Sequence, residues 1–291
     1  MIEIQIASTT TTDRLDKVYI LFNSIKQNKL DTTKIVYNLF VQYDEQYDFK
    51  RCTEYFESLI SDNFSVVLEN VDVFKDSVKT PYRNHLYYAK CLFPQYFFDL
   101  DKILFLDVDL VFIKGIESLW DTDITDYYAG ACIDPTWQFC PEYKHDLINT
   151  GTSAYFNAGV ILFNLKKMRE DKKDEELQKW CLNWDFNSLQ CNCHDQTLLN
   201  YVLKDKIKLL PFKYNNSILA SLGVAKNAYS DYLKSIGYDL PLNSIYDAVI
   251  LHFCGSNKPW DINALQSYEH IYPYQRLASQ IWKQINEQYK K

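Results

Sequence analysis

The sequence predicts an α/β protein in which helices cover both faces of a mainly parallel sheet. Apolar strand-like runs alternate with segments of helical periodicity, as in chains that form parallel sheets. The chain has 291 residues, of which 47% are hydrophobic and 24% charged, and these values suit a soluble protein with a large core. It contains no internal repeat, low-complexity segment or linker, so residues 1–291 are predicted to form a single domain.

The first half of the chain begins as nucleotide-binding α/β units do, with a strand, a polar turn and a helix. Residues 8–13 form the predicted turn, and residues 18–25 carry apolar side chains at helical spacing. Further helices are predicted at about residues 47–60 and 83–93, the second ending at Pro94 because proline cannot continue it. The predicted strands of this half are residues 2–7, 35–41 and 64–68. The Gly-x-Gly-x-x-Gly fingerprint of dinucleotide-binding proteins is absent.

A strand-like apolar run over residues 102–112 carries Asp107 and Asp109 at its middle. Side chains alternate between the faces of a strand, so the two carboxylates are predicted to point the same way while Val108 points into the core. Two carboxylates among buried residues are costly unless a cation neutralises them, and a metal ion is the obvious candidate. Taken alone, the pair is equally compatible with a strand that ends in a polar turn.

The second half continues the alternation of strands and helices. Residues 134–152 read as a long irregular loop, the kind that usually binds ligands or forms a lid, and residues 215–243 receive no assignment. The predicted strands are residues 127–133, 155–165, 207–210 and 248–253. Helices are predicted from Lys166, from about His194 and over residues 274–289.

Composition excludes several classes of function. The net charge of −7, without a concentrated Lys/Arg block, argues against nucleic acid as the partner. No apolar run is long enough to span a membrane, and the start of the chain does not resemble a signal peptide. We therefore expect a cytoplasmic protein whose 8 cysteines are mostly reduced thiols. The Cys191-x-Cys193-His194 cluster invites a zinc interpretation, but its spacing matches no zinc ribbon or finger, so packing is favoured.

Four blocks in this order resemble the retaining glycosyltransferases of family 8, which include glycogenins and bacterial lipopolysaccharide galactosyl- and glucosyltransferases. The blocks are Asp107-Val108-Asp109 and residues 156–165, 194–200 and 252–260. The resemblance implies a GT-A fold, a Rossmann-like sheet that binds a sugar nucleotide and a divalent metal at the carboxyl ends of its strands. It also implies a nucleotide-binding half at about residues 1–130, a donor-sugar and acceptor half at 131–260 and a C-terminal helical extension at 261–291.

The resemblance assigns roles to individual residues. Asp107, Asp109 and His252 match the family's metal ligands, and two carboxylates with one imidazole favour Mn²⁺, with Mg²⁺ as the alternative. Asp195 and Gln196 match the pair that lies near the anomeric carbon and are the candidate catalytic residues. The positions that match the donor-sugar wall are Lys90, Asn157, Ala158 and Asp134. Those that match the nucleotide site are Ala7, Thr9, Val108, Gly255 and Lys258.

Each of these residues also has an ordinary structural interpretation. Without the resemblance, His252 would be read as a core histidine and Lys90 as a solvated helix residue. Asn157 would be a residue that ties down a turn, and Asp195 an acid that complements a helix N-terminus.

The function implied is transfer of a hexose, glucose or galactose, from a UDP-sugar to an acceptor hydroxyl with retention at the anomeric carbon. The acceptor, whether a glycan, a lipid-linked sugar or a protein, is not indicated, and a homodimer is a possibility. Relatives carry an aromatic after the first strand that stacks on uracil, and this chain lacks it; Arg14 or a tyrosine could substitute. The alternatives are a haloacid-dehalogenase-type phosphatase, which also uses Asp-x-Asp, and a non-catalytic sugar-nucleotide-binding relative.

Overall fold

The computed structural model describes residues 2–43, 54, 56–79, 85–134, 150–183, 194–217, 231, 234–235, 247–254, 258 and 260. The strands in these ranges are β1 (Ile2–Thr11), β2 (Thr33–Gln42), β3 (Phe64–Asn70), β4 (Lys102–Leu106), β5 (Leu110–Phe112), β6 (Ala129–Ile133), β7 (Phe156–Asn164), β8 (Ile207–Leu209), β9 (Asn216–Ser217) and β10 (Ile250–His252). The α-helices are α1 (Leu15–Asn28), α2 (His85–Tyr96), α3 (Glu117–Trp120), α4 (Leu165–Glu170), α5 (Lys173–Asn183) and α6 (His194–Leu203).

Seven strands form the central sheet, in the order β3-β2-β1-β4-β7-β6-β8. The pairs from β3 to β4 are parallel, as is β6 with β8, whereas β7 runs antiparallel to both of its neighbours. The predicted mostly parallel α/β sheet is therefore confirmed. Because β7 is reversed, its first residues lie at the same edge of the sheet as the last residues of β1 and β4.

Strand β4 shows how the sheet buries both of its faces. Leu104 and Leu106 pack into a cluster with residues of α1, whereas Ile103 and Phe105 pack into a second cluster with residues of α2 and α6. This alternation is expected for a strand that has helices on both sides. The site-bearing edge of the sheet is thus held between two separate hydrophobic cores.

Strand β1 is longer than predicted, because residues 8–11 continue the strand and do not form a turn. Thr10 pairs with Val41 and Thr11 with Gln42 in the parallel ladder with β2. Threonine is β-branched and fits a pleated surface well, so a threonine run favours a strand wherever a partner is present. The turn is shorter than predicted, a single 3₁₀ turn over Thr12–Arg14 that leads directly into α1.

The predicted strand 102–112 is wrong as a single element, because the chain divides it between two sheets. Strand β4 ends at Leu106, and β5 joins a three-stranded sheet of order β5-β10-β9. The backbone changes partner in between: Asp107 N donates to Gly159 O at 2.8 Å, while Asp109 O accepts from Phe253 N at 3.0 Å. The two aspartates therefore lie at the junction of the sheets.

Helix α2 continues past Pro94 to Tyr96, whereas the sequence predicted that it would end there. Pro94 lies in the last turn, where the missing N–H removes only one hydrogen bond. Arg169 of α4 forms hydrogen bonds with backbone carbonyls in the last turn of this helix and in the segment that follows it. Its guanidinium donates to Pro94 O at 3.0 Å, to Phe97 O at 3.1 Å and to Leu100 O at 2.7 Å.

The helix predicted from Lys166 is divided into α4 and α5. The break comes at Lys172, whose φ of 57° lies in the left-handed region that ends helices. The helices predicted at residues 18–25 and from about His194 correspond to α1 and α6, whereas most of 47–60 and all of 274–289 fall outside the described residues. So do the extension 261–291 and nearly all of the loop 134–152, and the division of the chain into halves remains a prediction.

In the part of the chain that the structure describes, no helix has the length and apolar character needed to cross a membrane. Four cysteines are free thiols there: Cys91, Cys132, Cys181 and Cys254. The Cys191 and Cys193 cluster lies outside the described residues.

Candidate active site

A cleft of about 360 Å³ opens at the sheet edge where β1 and β4 end and β7 begins. Thr9 lines it from β1 and Val108 from the junction after β4. Asn157, Ala158 and Gly159 line it from the start of β7. The crevice beyond the carboxyl ends of parallel strands is where α/β sheets usually bind ligands, so this cleft is the candidate active site.

Asp107, Asp109 and His252 converge on the floor of this cleft. One ligand atom from each residue lies within 4.8 Å of the others. His252 Nε2 is 3.4 Å from Asp109 Oδ1 and 4.0 Å from Asp107 Oδ2. The aspartates come from the junction of the two sheets and the histidine from β10, so the small sheet supplies the third side chain.

Gly159 leaves the space that these three side chains use. A Cβ on Gly159 would lie 2.3 Å from His252 Cε1 and 2.8 Å from Asp107 Oδ2, too close for any residue with a side chain. The convergence, the space and the donor set of two carboxylates and one imidazole fit a divalent cation such as Mn²⁺ or Mg²⁺. Gly159 lies in the motif block of residues 156–165 and had no predicted role there, although a glycine inside a strand often marks such a close approach.

The electrostatics of the floor favour an ionised Asp109. Burial opposes its ionisation, but the positive charges of His252 and Lys258 lower the pKa of Asp109 below the usual carboxyl range. Lys258 Nζ forms an ion pair with Asp109 and donates to Phe253 O at 2.8 Å. Burial likewise opposes the protonation of His252, but Cys254 and Asp109 raise the pKa of its ring well above the usual value.

Lys90 is buried, with 4% of its surface exposed, so it is not the solvated helix residue of the structural interpretation. Its Nζ lies 2.8 Å from Asp195 Oδ2 and 3.7 Å from Asp107 Oδ1, and it donates to Ala158 O at 3.2 Å. Burial would lower the pKa of Lys90, yet the charges of Asp195 and Asp107 outweigh it and raise that pKa. The lysine therefore links the metal-ligand candidates to the predicted catalytic pair.

Gln196 and Asn157 are tied together through Asp134. Asp134 Oδ2 accepts from Asn157 Nδ2 at 3.0 Å and from Gln196 Nε2 at 3.2 Å. Gln196 Oε1 accepts from Ala158 N at 2.9 Å. Asp134 is buried and absent from the residues that line the cleft, so in this structure it supports Asn157 and Gln196 of the predicted donor-sugar and catalytic sites from behind.

Most of the predicted site residues therefore come together in one cleft, although their roles stay predictions. Ala7 is fully buried in the core and does not line it, and Gly255 lies outside the described residues. Two aromatic residues that had no predicted role, Tyr87 and Trp260, line the cleft, as does Arg14. Trp260 ends the motif block of residues 252–260, so its place at the cleft could have been anticipated.

Comparison with known proteins shows to which family the chain is similar. Residues 5–264 match the family model described as Glycosyl transferase family 8. A putative glycosyltransferase of Haemophilus influenzae is 29% identical over 175 residues, which are 60% of this chain and 48% of that protein. A lipopolysaccharide 1,2-glucosyltransferase of Escherichia coli is 26% identical over 175 residues, 60% of this chain and 49% of that protein. The chain thus matches about half the length of these two relatives.

Solved structures share the fold. The galactosyltransferase LgtC, solved with donor and acceptor sugar analogues, superimposes on this chain with a TM-score of 0.69 at 20% sequence identity. The superposition covers 99% of this chain and 96% of the LgtC chain. This similarity confirms the predicted GT-A fold.

Proposed function

The chain belongs to glycosyl transferase family 8, and from this we propose that it transfers a hexose from a UDP-sugar to an acceptor hydroxyl with retention at the anomeric carbon. The observation that carries the proposal is the convergence of Asp107, Asp109 and His252 within 4.8 Å in the cleft beside Lys258. Glucose and galactose are the proposed sugars, because relatives include a lipopolysaccharide glucosyltransferase and the structural neighbour LgtC is a galactosyltransferase.

Asp107, Asp109 and His252 would hold a divalent cation, with Mn²⁺ proposed and Mg²⁺ as the alternative. Such an ion supplies positive charge to the diphosphate oxygens as the sugar–phosphate bond breaks. Lys258, on the same side of the cleft, adds a second positive charge for these oxygens. With the leaving group stabilised in this way, the chain needs no strong protein acid.

Trp260 and Arg14 are the proposed partners of the base. Both line the cleft, and Trp260 offers an aromatic ring in a chain that lacks the family's usual stacking residue. The ammonium group of Lys17 lies 5.3 Å from the centroid of the Trp260 ring, so this ring has a cation close to it.

The surroundings of Asp195 and Gln196 favour front-face attack over a covalent intermediate. Asp195 is paired with Lys90 at 2.8 Å, and the oxygen of Gln196 is engaged by the Ala158 N–H, so neither is an activated nucleophile. In the proposed reaction the bond from the anomeric carbon to phosphate breaks with its electron pair on the diphosphate. The acceptor oxygen bonds to that carbon from the same side, and its proton passes to a phosphate oxygen. Asp195 and Gln196 hold the sugar in place.

The test is turnover by purified protein with Mn²⁺ and a panel of UDP-hexoses, followed as release of UDP. Release from UDP-glucose or UDP-galactose is expected, and its absence with all donors in a folded protein would refute the proposal. Tight Mn²⁺-dependent UDP binding without turnover would favour the non-catalytic alternative. The family assignment leaves the phosphatase alternative without support.

The acceptor is proposed to be a glycan, a lipid-linked sugar or a protein, the three classes that the family leaves open. Intact-mass measurement after incubation with UDP-glucose and Mn²⁺ tests one case of a protein acceptor, in which this chain glycosylates itself. An added hexose mass would identify self-glycosylation, and an unchanged mass would exclude it.

A further inference from the structure

Asn215 lies behind His252 and outside the residues that line the cleft. It follows the 3₁₀ turn Phe212–Tyr214 and has 2% of its surface exposed. Its Oδ1 is 2.7 Å from His252 Nδ1, while its Nδ2 is 2.9 Å from Asn157 Oδ1. Buried polar groups are paired in folded proteins, so the partners of this buried amide decide which of its ends is the oxygen.

The orientation of the neighbouring amide, Asn157, follows from two groups that cannot be reversed. Gly159 N is a backbone donor, and it lies 2.9 Å from Asn157 Oδ1. Asp134 is an acceptor when ionised, and its Oδ2 lies 3.0 Å from Asn157 Nδ2. The Asn157 amide can satisfy both groups only with its oxygen toward Gly159 and its nitrogen toward Asp134.

The same reasoning decides which ring nitrogen of His252 carries the hydrogen. Asn157 Oδ1 is an acceptor, so Asn215 must present its Nδ2 to it, and this turns Asn215 Oδ1 toward His252. Nδ1 of His252 must then carry a hydrogen to donate at 2.7 Å. The neutral ring is consequently the tautomer whose lone pair lies on Nε2, the atom that faces Asp107 and Asp109.

We propose that Asn215 is a positioning residue for catalysis, which fixes the tautomer and the ring orientation of His252 through an amide relay set by Gly159 and Asp134. The relay consists of Gly159, Asp134, Asn157, Asn215 and His252. Because Asp134 Oδ2 also accepts from Gln196 at 3.2 Å, it joins the metal-binding side of the cleft to the donor-sugar wall. The inference rests on the metal site of the proposed function.

Two variants at Asn215 separate a directional role from a merely structural one. Asn215→Leu removes the acceptor for Nδ1, and we expect Mn²⁺ to bind roughly 10- to 100-fold more weakly, as for other losses of a ligand's hydrogen-bond partner. Asn215→Asp keeps that acceptor but sets a carboxylate against Asn157 Oδ1. It is expected to retain most of the Mn²⁺ affinity while raising KM for the sugar donor.

The control is Asn164→Leu, at the far end of β7. Its side chain makes hydrogen bonds of the same kind, to Ile124 O at 3.0 Å and from Lys167 N at 3.0 Å, outside the relay. Mn²⁺ affinity is measured directly from the paramagnetic resonance signal of the free ion, with folding followed by circular dichroism. This variant is expected to bind Mn²⁺ as the wild type does.

A spectroscopic readout tests the tautomer without any turnover. In protein labelled with ¹⁵N-histidine, the His252 ring should show a slowly exchanging proton on Nδ1, both without metal and with diamagnetic Mg²⁺. A His252→Gln variant assigns the signal. We expect it to disappear in Asn215→Leu and to persist in Asn215→Asp and Asn164→Leu.

The outcomes are distinguishable. If folded Asn215→Leu keeps both wild-type Mn²⁺ affinity and the Nδ1 proton, the positioning role is refuted. Equal losses in Asn215→Leu and Asn215→Asp would also refute it, because the acceptor would then not be the operative group. If the wild type binds no metal, the proposed function fails instead, and the Nδ1 signal recorded at a pH high enough for the His252 ring to be neutral still decides the tautomer.

Discussion

Lys90 and Asp195 form a 2.8 Å ion pair in which the side chains are only 5% and 16% exposed. The pair joins α2 to the first turn of α6, where an acid also complements the helix dipole. Since the lysine lies under the cleft as well as in the core, its charge is expected to serve both stability and ligand binding.

Replacing Lys90 by methionine is expected to lower the free energy of unfolding by about 3 kcal/mol, the usual loss when one member of a buried ion pair is removed. Urea denaturation followed by circular dichroism measures it. Asp195→Asn alone should also destabilise the protein, and the double variant should lose less than the sum of the single losses. Additive losses would show that the two charges are not energetically coupled.

The Gly159→Ala variant should fold but lose metal affinity, because its Cβ would meet His252 Cε1 at 2.3 Å. We expect Mn²⁺ binding at least about tenfold weaker, in the range typical of disturbed ligand orientation. Gly130→Ala is the control, since its Cβ would meet only the side chains of Leu210 and Ile124, at 3.2 and 3.3 Å. Wild-type Mn²⁺ affinity in Gly159→Ala would contradict the proposed position of the ion.

Asp107→Asn and Asp109→Asn should each abolish measurable turnover with UDP-hexoses. A bound metal contributes several kcal/mol to charge stabilisation, which corresponds to a fall in kcat on the order of 10³-fold. Asp101→Asn, at the other end of β4, is the matched control and should retain activity. Turnover at the wild-type rate in both site variants would exclude a role for the pair in the reaction.

Binding of Mn²⁺ should release close to one proton per ion at neutral pH. Burial opposes the protonation of His252, but Cys254 and Asp109 raise the pKa of its ring well above the usual value in the metal-free chain. This shift favours the protonated ring at neutral pH, and the ring must lose that proton to become a ligand. Metal affinity should therefore increase with pH until the raised pKa is passed. Calorimetry in buffers of different ionisation enthalpy counts the protons, and a count of zero would mean that His252 is not a ligand or is already neutral.

The alternation of strands and helices was enough to predict the fold class, because apolar periodicity reports burial on each element. Asp107, Asp109 and His252 could be singled out because their types are unusual beside buried strands and match a family motif. The sequence could not show that the run 102–112 changes sheets. Periodicity stays the same when a strand exchanges one hydrogen-bonding partner for another, as happens between Gly159 O and Phe253 N.

Asn215 could not be found from the sequence by any local signal. It lies in a segment without clear periodicity, and its importance depends on contacts with Asn157 and His252, which are 58 and 37 residues away along the chain. Long-range polar pairs of this kind depend on tertiary packing, as does the hydrogen bond that Arg169 donates to Pro94 O in the last turn of helix α2.

The division of residues 102–112 between two sheets has a mechanical consequence. The small sheet packs on α1 through a compact cluster of Ile20, Val111, Ala248, Leu251 and Phe253. An ion shared by the end of β4 and by His252 would act as a cross-link between the two sheets, in addition to the three-residue covalent connection. Local opening of the small sheet would then become rarer as the ion concentration rises, so the metal would lock together the parts of the fold that create its own site.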